Sequence, residues 1–256
     1  NAILRYNYED LFITKIGFGY SITKGNTAFK SNIETSGNLL SLASRMWNAK
    51  KDELGHYQVF NIAFAQYVKC DLDLSHVLMI DKNNQLVFHA GLGVAYPYGN
   101  STVMPFEKRY FSGGANSVRG WTVRSLGPGQ YKEQDGRINF INQTVDMKLE
   151  LNAEYRTYLF WKFNGALFVD AGNIWTIRQY DEQPGGQFSF KDFPRQLAVS
   201  YGLGLRLNFD YFILRFDLGM KAVNPAYEAE DDEHYPVLHP NFKRDYAFHF
   251  AVGMTF

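Results

Sequence analysis

The chain has 256 residues, 26 basic against 26 acidic, with 46% hydrophobic and 17% aromatic residues and a single cysteine. This balance removes the net field that nucleic acid would select, and Cys70 alone rules out an internal disulfide. No apolar run reaches the roughly 18 residues that a membrane-crossing helix needs. The first residues, NAILRYNYEDLF, lack a basic start before an apolar run, so no signal peptide is expected within this sequence.

Alternation of apolar and polar residues, the period of two of a β-strand, recurs along nearly the whole chain. Residues 12–22 form the first predicted strand and 29–36 a weaker second. LLSLASRMWNAKK, residues 39–51, departs from alternation and predicts a short helix in a connecting loop or against a partner. Over residues 68–80, Val68, Cys70, Leu72, Leu74, Leu78 and Ile80 share one face, with Lys69, Asp71, Asp73 and Ser75 opposite. His76 interrupts the apolar side, and Cys70 reads there as a small hydrophobe. After the tight turn DKNN, Leu86, Phe88, Ala90, Leu92 and Val94 make the next apolar face.

Residues 97–143 break the pattern. This connection is rich in turn formers and contains SGGANSVRGW, from Ser112 to Trp121. A loop of that length inside a compact protein usually carries function. Strands resume at 145–159, where Asp146, Lys148, Glu150, Asn152, Glu154 and Arg156 point one way, and at 163–175. In 197–208, Leu197, Val199, Tyr201, Leu203, Leu205 and Leu207 oppose small and polar residues. In 212–221, Phe212, Leu214, Phe216, Leu218 and Met220 oppose Arg215, Asp217, Gly219 and Lys221. The stretch EAEDDEHYPVLHP, residues 228–240, carries ligand types that suit a divalent ion, but it reads as a solvated acidic loop and no metal site is assigned. The last predicted strand, 246–256, sets Tyr246, Phe248, Phe250, Val252, Met254 and Phe256 against His249, Ala251 and Gly253.

Short connections near 23–26, 81–84, 160–162 and 209–210 alternate with long ones near 37–57, 97–143, 177–195 and 223–245. Brief turns at one end and large loops at the other are the layout of an outer-membrane barrel. A soluble β-sandwich also alternates, with its apolar faces inside. The polar faces here carry Gly, Ser and charges of both signs, and aromatics stand near strand ends at Tyr96, Tyr155, Trp175, Tyr201 and Tyr246. Both features favour the membrane barrel. The expected fold class is therefore all-β, a transmembrane antiparallel β-barrel. Lipid tolerates no unpaired edge and bacterial barrels close with even strand numbers, so the nine predicted strands call for further barrel strands upstream.

FSGGANSVRGW resembles the sixth-outer-loop signature of the BamA/TamA superfamily of outer-membrane barrel assembly proteins, in which GG precedes (V/I)RG(F/Y/W). LNAEYRTYLF is similar to that family's twelfth strand. LFVDAGNIW is similar to its thirteenth, with the F-x-D-x-G-x-x-W core, and FHFAVGMTF to its last strand with a terminal aromatic. The stretch YGNSTVMPFEKRYFSGGANSVRGWTVRSLGPG further resembles versions from the Bacteroidota, especially TamA-like lipoproteins. The resemblance implies the C-terminal part of one barrel domain of roughly 16 strands, without POTRA domains or the first strands. It also implies a motif loop folded into the lumen with its arginine docked on the inner wall.

The residues fit that expectation. Alternation puts Glu154 and Asp170 on the inner faces of neighbouring strands, and a guanidinium bonds carboxylates in bidentate fashion, so Arg119 is the expected tether. Gly113, Gly114 and Gly120, around Val118, permit unusual backbone angles and close approach, and Trp121 packs on the wall. His249, Phe250, Gly253, Met254 and Phe256 are expected to form the C-terminal seam and assembly signal. Ala251 departs from the family there, which prefers glycine two residues after the polar position.

The implied function is non-enzymatic and cofactor-free: insertion of unfolded β-barrel clients into the bacterial outer membrane through a lateral seam, by strand addition. Outer-membrane lipids and accessory lipoproteins or periplasmic or inner-membrane factors are the implied partners, and nucleic acid is not. Rival readings are a transporter of the same superfamily, a passive porin, and a hydrolase barrel. For the last, His89 and His249 face the lumen with no serine or cysteine nucleophile at a matching motif.

Overall fold

The computed structural model describes residues 10–52, 55–132, 143–181, 183–209, 211–254 and 256. Its strands are β1 (Leu11–Phe12), β2 (Lys15–Lys24), β3 (Thr27–Ser36), β4 (Gln58–Val59), β5 (Ile62–Phe64), β6 (Tyr67–Met79), β7 (Asn84–Pro97), β8 (Met147–Phe160), β9 (Phe163–Trp175), β10 (Ala198–Asn208), β11 (Ile213–Val223) and β12 (Tyr246–Val252). Helices α1 (Asn38–Met46) and α2 (Phe242–Asp245) lie in two of the connections.

Nine strands form one sheet in the order β12-β11-β10-β9-β8-β7-β6-β3-β2. Every neighbouring pair is antiparallel. Strands β6 to β9 run 13 or 14 residues, more than the 9–11 or so that a tilted strand needs to cross a bilayer. The connections β2–β3, β6–β7, β8–β9 and β10–β11 are tight turns. Those after β3, β7, β9 and β11 are long and lie together at the opposite end. Among the described residues the sheet is open, with β2 and β12 paired on one side each.

Burial is inverted relative to a water-soluble protein. Leu203, Phe212, Phe248 and Phe250 are exposed, whereas Glu154, Asp170, Ser200, Arg206, Arg215 and Asp217 are buried. Phe216 and Phe250, cross-strand partners on the apolar side, approach at 5.3 Å between ring centroids. A contiguous apolar wall of this extent is not sustained in water. It is the outer surface of a sheet solvated by acyl chains.

Three expectations need correction. Residues 12–22 are not one strand: Phe12 belongs to β1, which pairs with β5 in a separate three-stranded sheet, and β2 begins only at Lys15. The chain switches sheets between Phe12 and Lys15, and alternation alone does not register such a switch. Trp175 is not a membrane-facing girdle residue. It is fully buried under the loop after β9, donating Nε1–H to Gln196 Oε1 at 2.7 Å and packing on Phe188 and Phe193. The last strand stops at Val252 rather than Phe256. Gly253 adopts φ +98°, a conformation that L side chains rarely adopt, and the chain leaves the wall there. Phe256 thereby quits the apolar face and stacks on His89 of β7, with ring centroids 4.2 Å apart. Met254 borders a cavity of about 270 Å³ lined by Lys82, Arg156, Arg206 and Asn208, at the tight-turn end of the polar face.

His76, the polar interruption on the apolar face of β6, has a local explanation. Its Nδ1 lies 2.8 Å from Thr27 Oγ1 across the β3–β6 pair, near the tight-turn end.

Candidate functional site: a loop anchored on the polar face of the wall

The described part of the connection between β7 and β8 that carries the motif lies along the polar face of the sheet. Arg119 is fully buried there. Its Nε and Nη2 donate to the two carboxylate oxygens of Asp170, each at 2.8 Å, and its backbone N–H donates to Asp170 Oδ2 at 3.0 Å. Nη1 bonds Glu154 and stands 4.0 Å from Asp217 Oδ1. The guanidinium also lies over the Phe168 ring, 3.5 Å from its centroid, a stacked geometry open to Arg and not to Lys. The structure thus brings Arg119 together with both carboxylates placed on the inner face by sequence.

The cluster is larger than the sequence suggested. Arg206 donates to Asp217 at 2.5 Å and to Glu154 at 3.0 Å, Arg156 donates to Glu154 at 2.7 Å, and Arg215 lies 3.1 Å from Asp217. Asp217, Arg206 and Arg215 were legible as polar-face residues of their strands, but β10 and β11 had to curl toward β8 before they could share one site. Removing one member leaves the others uncompensated at buried positions, and breaking a buried pair costs about 3–5 kcal/mol.

The motif's small residues permit the close approach. Gly113 and Gly114 have φ of +94° and +102°. A Cβ on Gly120 would stand 2.6 Å from Ser200 Cβ. Sequence reasoning missed the complementary position on the wall, Gly219, where a Cβ would lie 2.0 Å from Arg119 O. Val118, Trp121, Leu126 and Ala198 form a small apolar cluster beside the ion network. Further bonds run along the loop: Ser117 to Glu150, Asn152 Nδ2 to Ser117 O at 2.9 Å, and Arg215 Nη2 to Ala115 O at 2.9 Å.

On β12, His249 is buried and its Nε2 lies 2.9 Å from Arg119 O, so the last strand is also tied to the loop. Phe250 points to the apolar side and is exposed. His89 is held between Asp73 and Asn152 at 2.8 and 2.9 Å. In the acidic loop, His234 Nδ1 meets Tyr227 O at 2.6 Å, and His239 lies 3.5 Å from Asp232. No group of three or more potential metal ligands assembles among the described residues.

An inverted sheet of long antiparallel strands, carrying a loop pinned to its wet side, defines an outer-membrane β-barrel protein. The comparisons agree. A model of the Omp85 superfamily domain matches residues 7–256, and the chain belongs to that superfamily. It is 29% identical over 126 residues to the outer membrane protein assembly factor BamA of Neisseria meningitidis serogroup B, a match covering 46% of this chain and 15% of that protein. Its fold is similar to BamA from Haemophilus ducreyi lacking POTRA domains 1–3, with a TM-score of 0.58, 14% identity, and coverage of 93% of this chain and 42% of the other. It is also similar to CdiB from Acinetobacter baumannii, with a TM-score of 0.51, 15% identity, and coverage of 93% and 32%. The chain therefore spans less than half the length of these relatives.

Proposed function

We propose that this chain is the C-terminal part of a closed barrel of roughly 16 strands, plugged by its motif loop, that inserts β-barrel clients into the outer membrane through a seam at β12. The action is non-enzymatic. Client strands add to an edge, and the ladder of main-chain hydrogen bonds supplies the affinity. Support comes from the relationship to a protein named as an assembly factor. The observation that carries the reading is the state of the last strand. At seven residues β12 is the shortest in the wall, and the chain turns out of its ladder just after the bond from Gly253 N–H to Ile213 O, 2.8 Å. A seam made with so short a strand holds few hydrogen bonds and parts at low cost. Accessory lipoproteins and periplasmic factors belong to this proposal as partners.

The test is the folding rate of an unfolded outer-membrane barrel in liposomes containing the full-length protein. Acceleration is expected, and a Gly253→Val variant, which disfavours the break, should slow it. Absence of acceleration overturns the reading. Secretion of a dedicated partner through the pore is the second reading, favoured by the likeness to CdiB. It predicts partner export without client insertion.

A further inference from the structure

Helix α1 is amphipathic the wrong way round for a helix that packs on a protein core. Its polar residues Ser41 and Ser44 are buried against the rest of the chain, while Leu39, Leu42 and Met46 are 67%, 59% and 72% exposed. These three fall at i, i+3 and i+7, one stripe of the helix. Trp47, which caps the helix, is 78% exposed, and Phe60, at the tip of the β4–β5 hairpin in the same loop, is 88% exposed. Five large apolar groups of one loop thus stand exposed among the described residues.

The position of the helix says what covers them. α1 starts two residues after β3, at the long-loop end of the wall, and is tied to the lipid-facing side. Asn38 Nδ2 donates to Thr35 Oγ1 at 2.8 Å, and Asn38 Oδ1 accepts from Tyr98 O–H at 2.7 Å. Thr35 lies on the same side of the sheet as Ile33 and pairs with Val68, and both of these are apolar and exposed. The helix therefore continues the acyl-solvated surface at its upper border. Charge points the same way. Residues 38–51 contain no acid, and Arg45, Lys50 and Lys51 are all exposed. Exposed cations beside an outward apolar stripe and a tryptophan are the composition of a helix that lies in a membrane interface with phosphate-bearing lipid.

We infer that α1 is an interfacial anchor. Its Leu39, Leu42, Met46 and Trp47 side chains sit among the acyl chains of the outer leaflet, and Arg45, Lys50 and Lys51 engage phosphate groups of the lipid headgroups. The inference rests on the outer-membrane placement of the wall and is independent of what the barrel does to clients.

The experiment compares the full-length protein with its Trp47→Phe variant in vesicles of brominated phosphatidylcholine, with and without a phosphorylated, acylated glucosamine lipid. The wild-type-minus-variant fluorescence isolates Trp47. Quenching of that difference signal by acyl-chain bromine, with protection from aqueous iodide, supports the anchor, as does its loss in a Leu42→Glu/Met46→Glu variant that keeps the heat-modifiable mobility of a folded barrel. Iodide access without bromine quenching overturns it. So does shielding of Trp47 that appears only as protein concentration rises, because a second copy is then the occupant. Equal quenching with and without the phosphorylated lipid removes the headgroup half of the proposal. Client-folding activity is read on the same samples, so failure of the anchor and failure of the assembly reading are distinguishable.

Discussion

Arg119 makes three bonds to one carboxylate and shares a second with Arg156 and Arg206, so its replacement tests an entire network. Arg119→Glu should lower the stability of the folded barrel by at least about 3–5 kcal/mol, read as a lower temperature of mobility shift in gel electrophoresis. Arg119→Lys should recover only part of that loss, because an ammonium offers neither the fork to Asp170 nor the stacking on Phe168. If the lysine variant matches wild type, the bidentate geometry is irrelevant. Gly219→Ala is a second probe from the opposite side. It places a methyl group against Arg119 O, and should release His249 from that carbonyl, detectable as altered imidazole resonances of His249. Arg119, Glu154 and Asp170 could be read from sequence because a motif and strand parity each located them. Gly219 could not, because nothing local distinguishes a glycine that admits a distant backbone from one that only lightens a strand.

The elements were legible where two-residue alternation runs unbroken. β6, β7, β8, β9, β10 and β11 lie within a few residues of their expected limits. The misses occur where the chain changes surface without changing composition: the passage from β1 to β2, and the departure of Phe256 after Gly253. The β4–β5 hairpin was missed because its strands are two and three residues long, too short to show a period. Turns read well, and the one after β6 supports a pH prediction. Asp81 accepts from Asn84 Nδ2 at 2.8 Å and from the N–H groups of Asn83 and Asn84 at 2.7 and 2.9 Å. The Asn84 side chain foremost, then the Asn83 N–H, hold its carboxyl below the ordinary range. The unfolded turn therefore binds a proton more readily than the folded one. Its contribution is complete above the unfolded value of about 3.9 and is lost as pH falls through the lower folded value. Amide exchange at Asn83 and Asn84, corrected for intrinsic rates, should lose protection on acidification. Asp81→Asn should abolish that pH dependence.

At the scale of the molecule, the decisive property is which side is wet. Alternation gives two faces but does not say which one meets solvent. The make-up of the polar faces, the aromatics near strand ends and then the motif pointed to the answer in the sequence, and the burial of Arg206 and Asp217 against the exposure of Leu203 and Phe248 answers it in the structure. Spin labels test it directly in a Cys70→Ala background of the full-length protein in liposomes. Labels at Leu203 and Phe248 should be broadened by dissolved oxygen, which concentrates in the bilayer, and a label at Thr122 by a water-soluble nickel chelate. The reverse pattern would contradict the assignment of the faces.

The bond between His249 and the carbonyl of Arg119 has a mechanical corollary. It makes the final strand a doorpost, bolted from within to the same block that grips β8, β9 and β11. Swinging that post outward would tear at an arginine core, whereas swinging the leaf that closes against it would leave every bolt in place. On the seam proposed above, the strand facing β12 is expected to move, while the motif loop stays with the post.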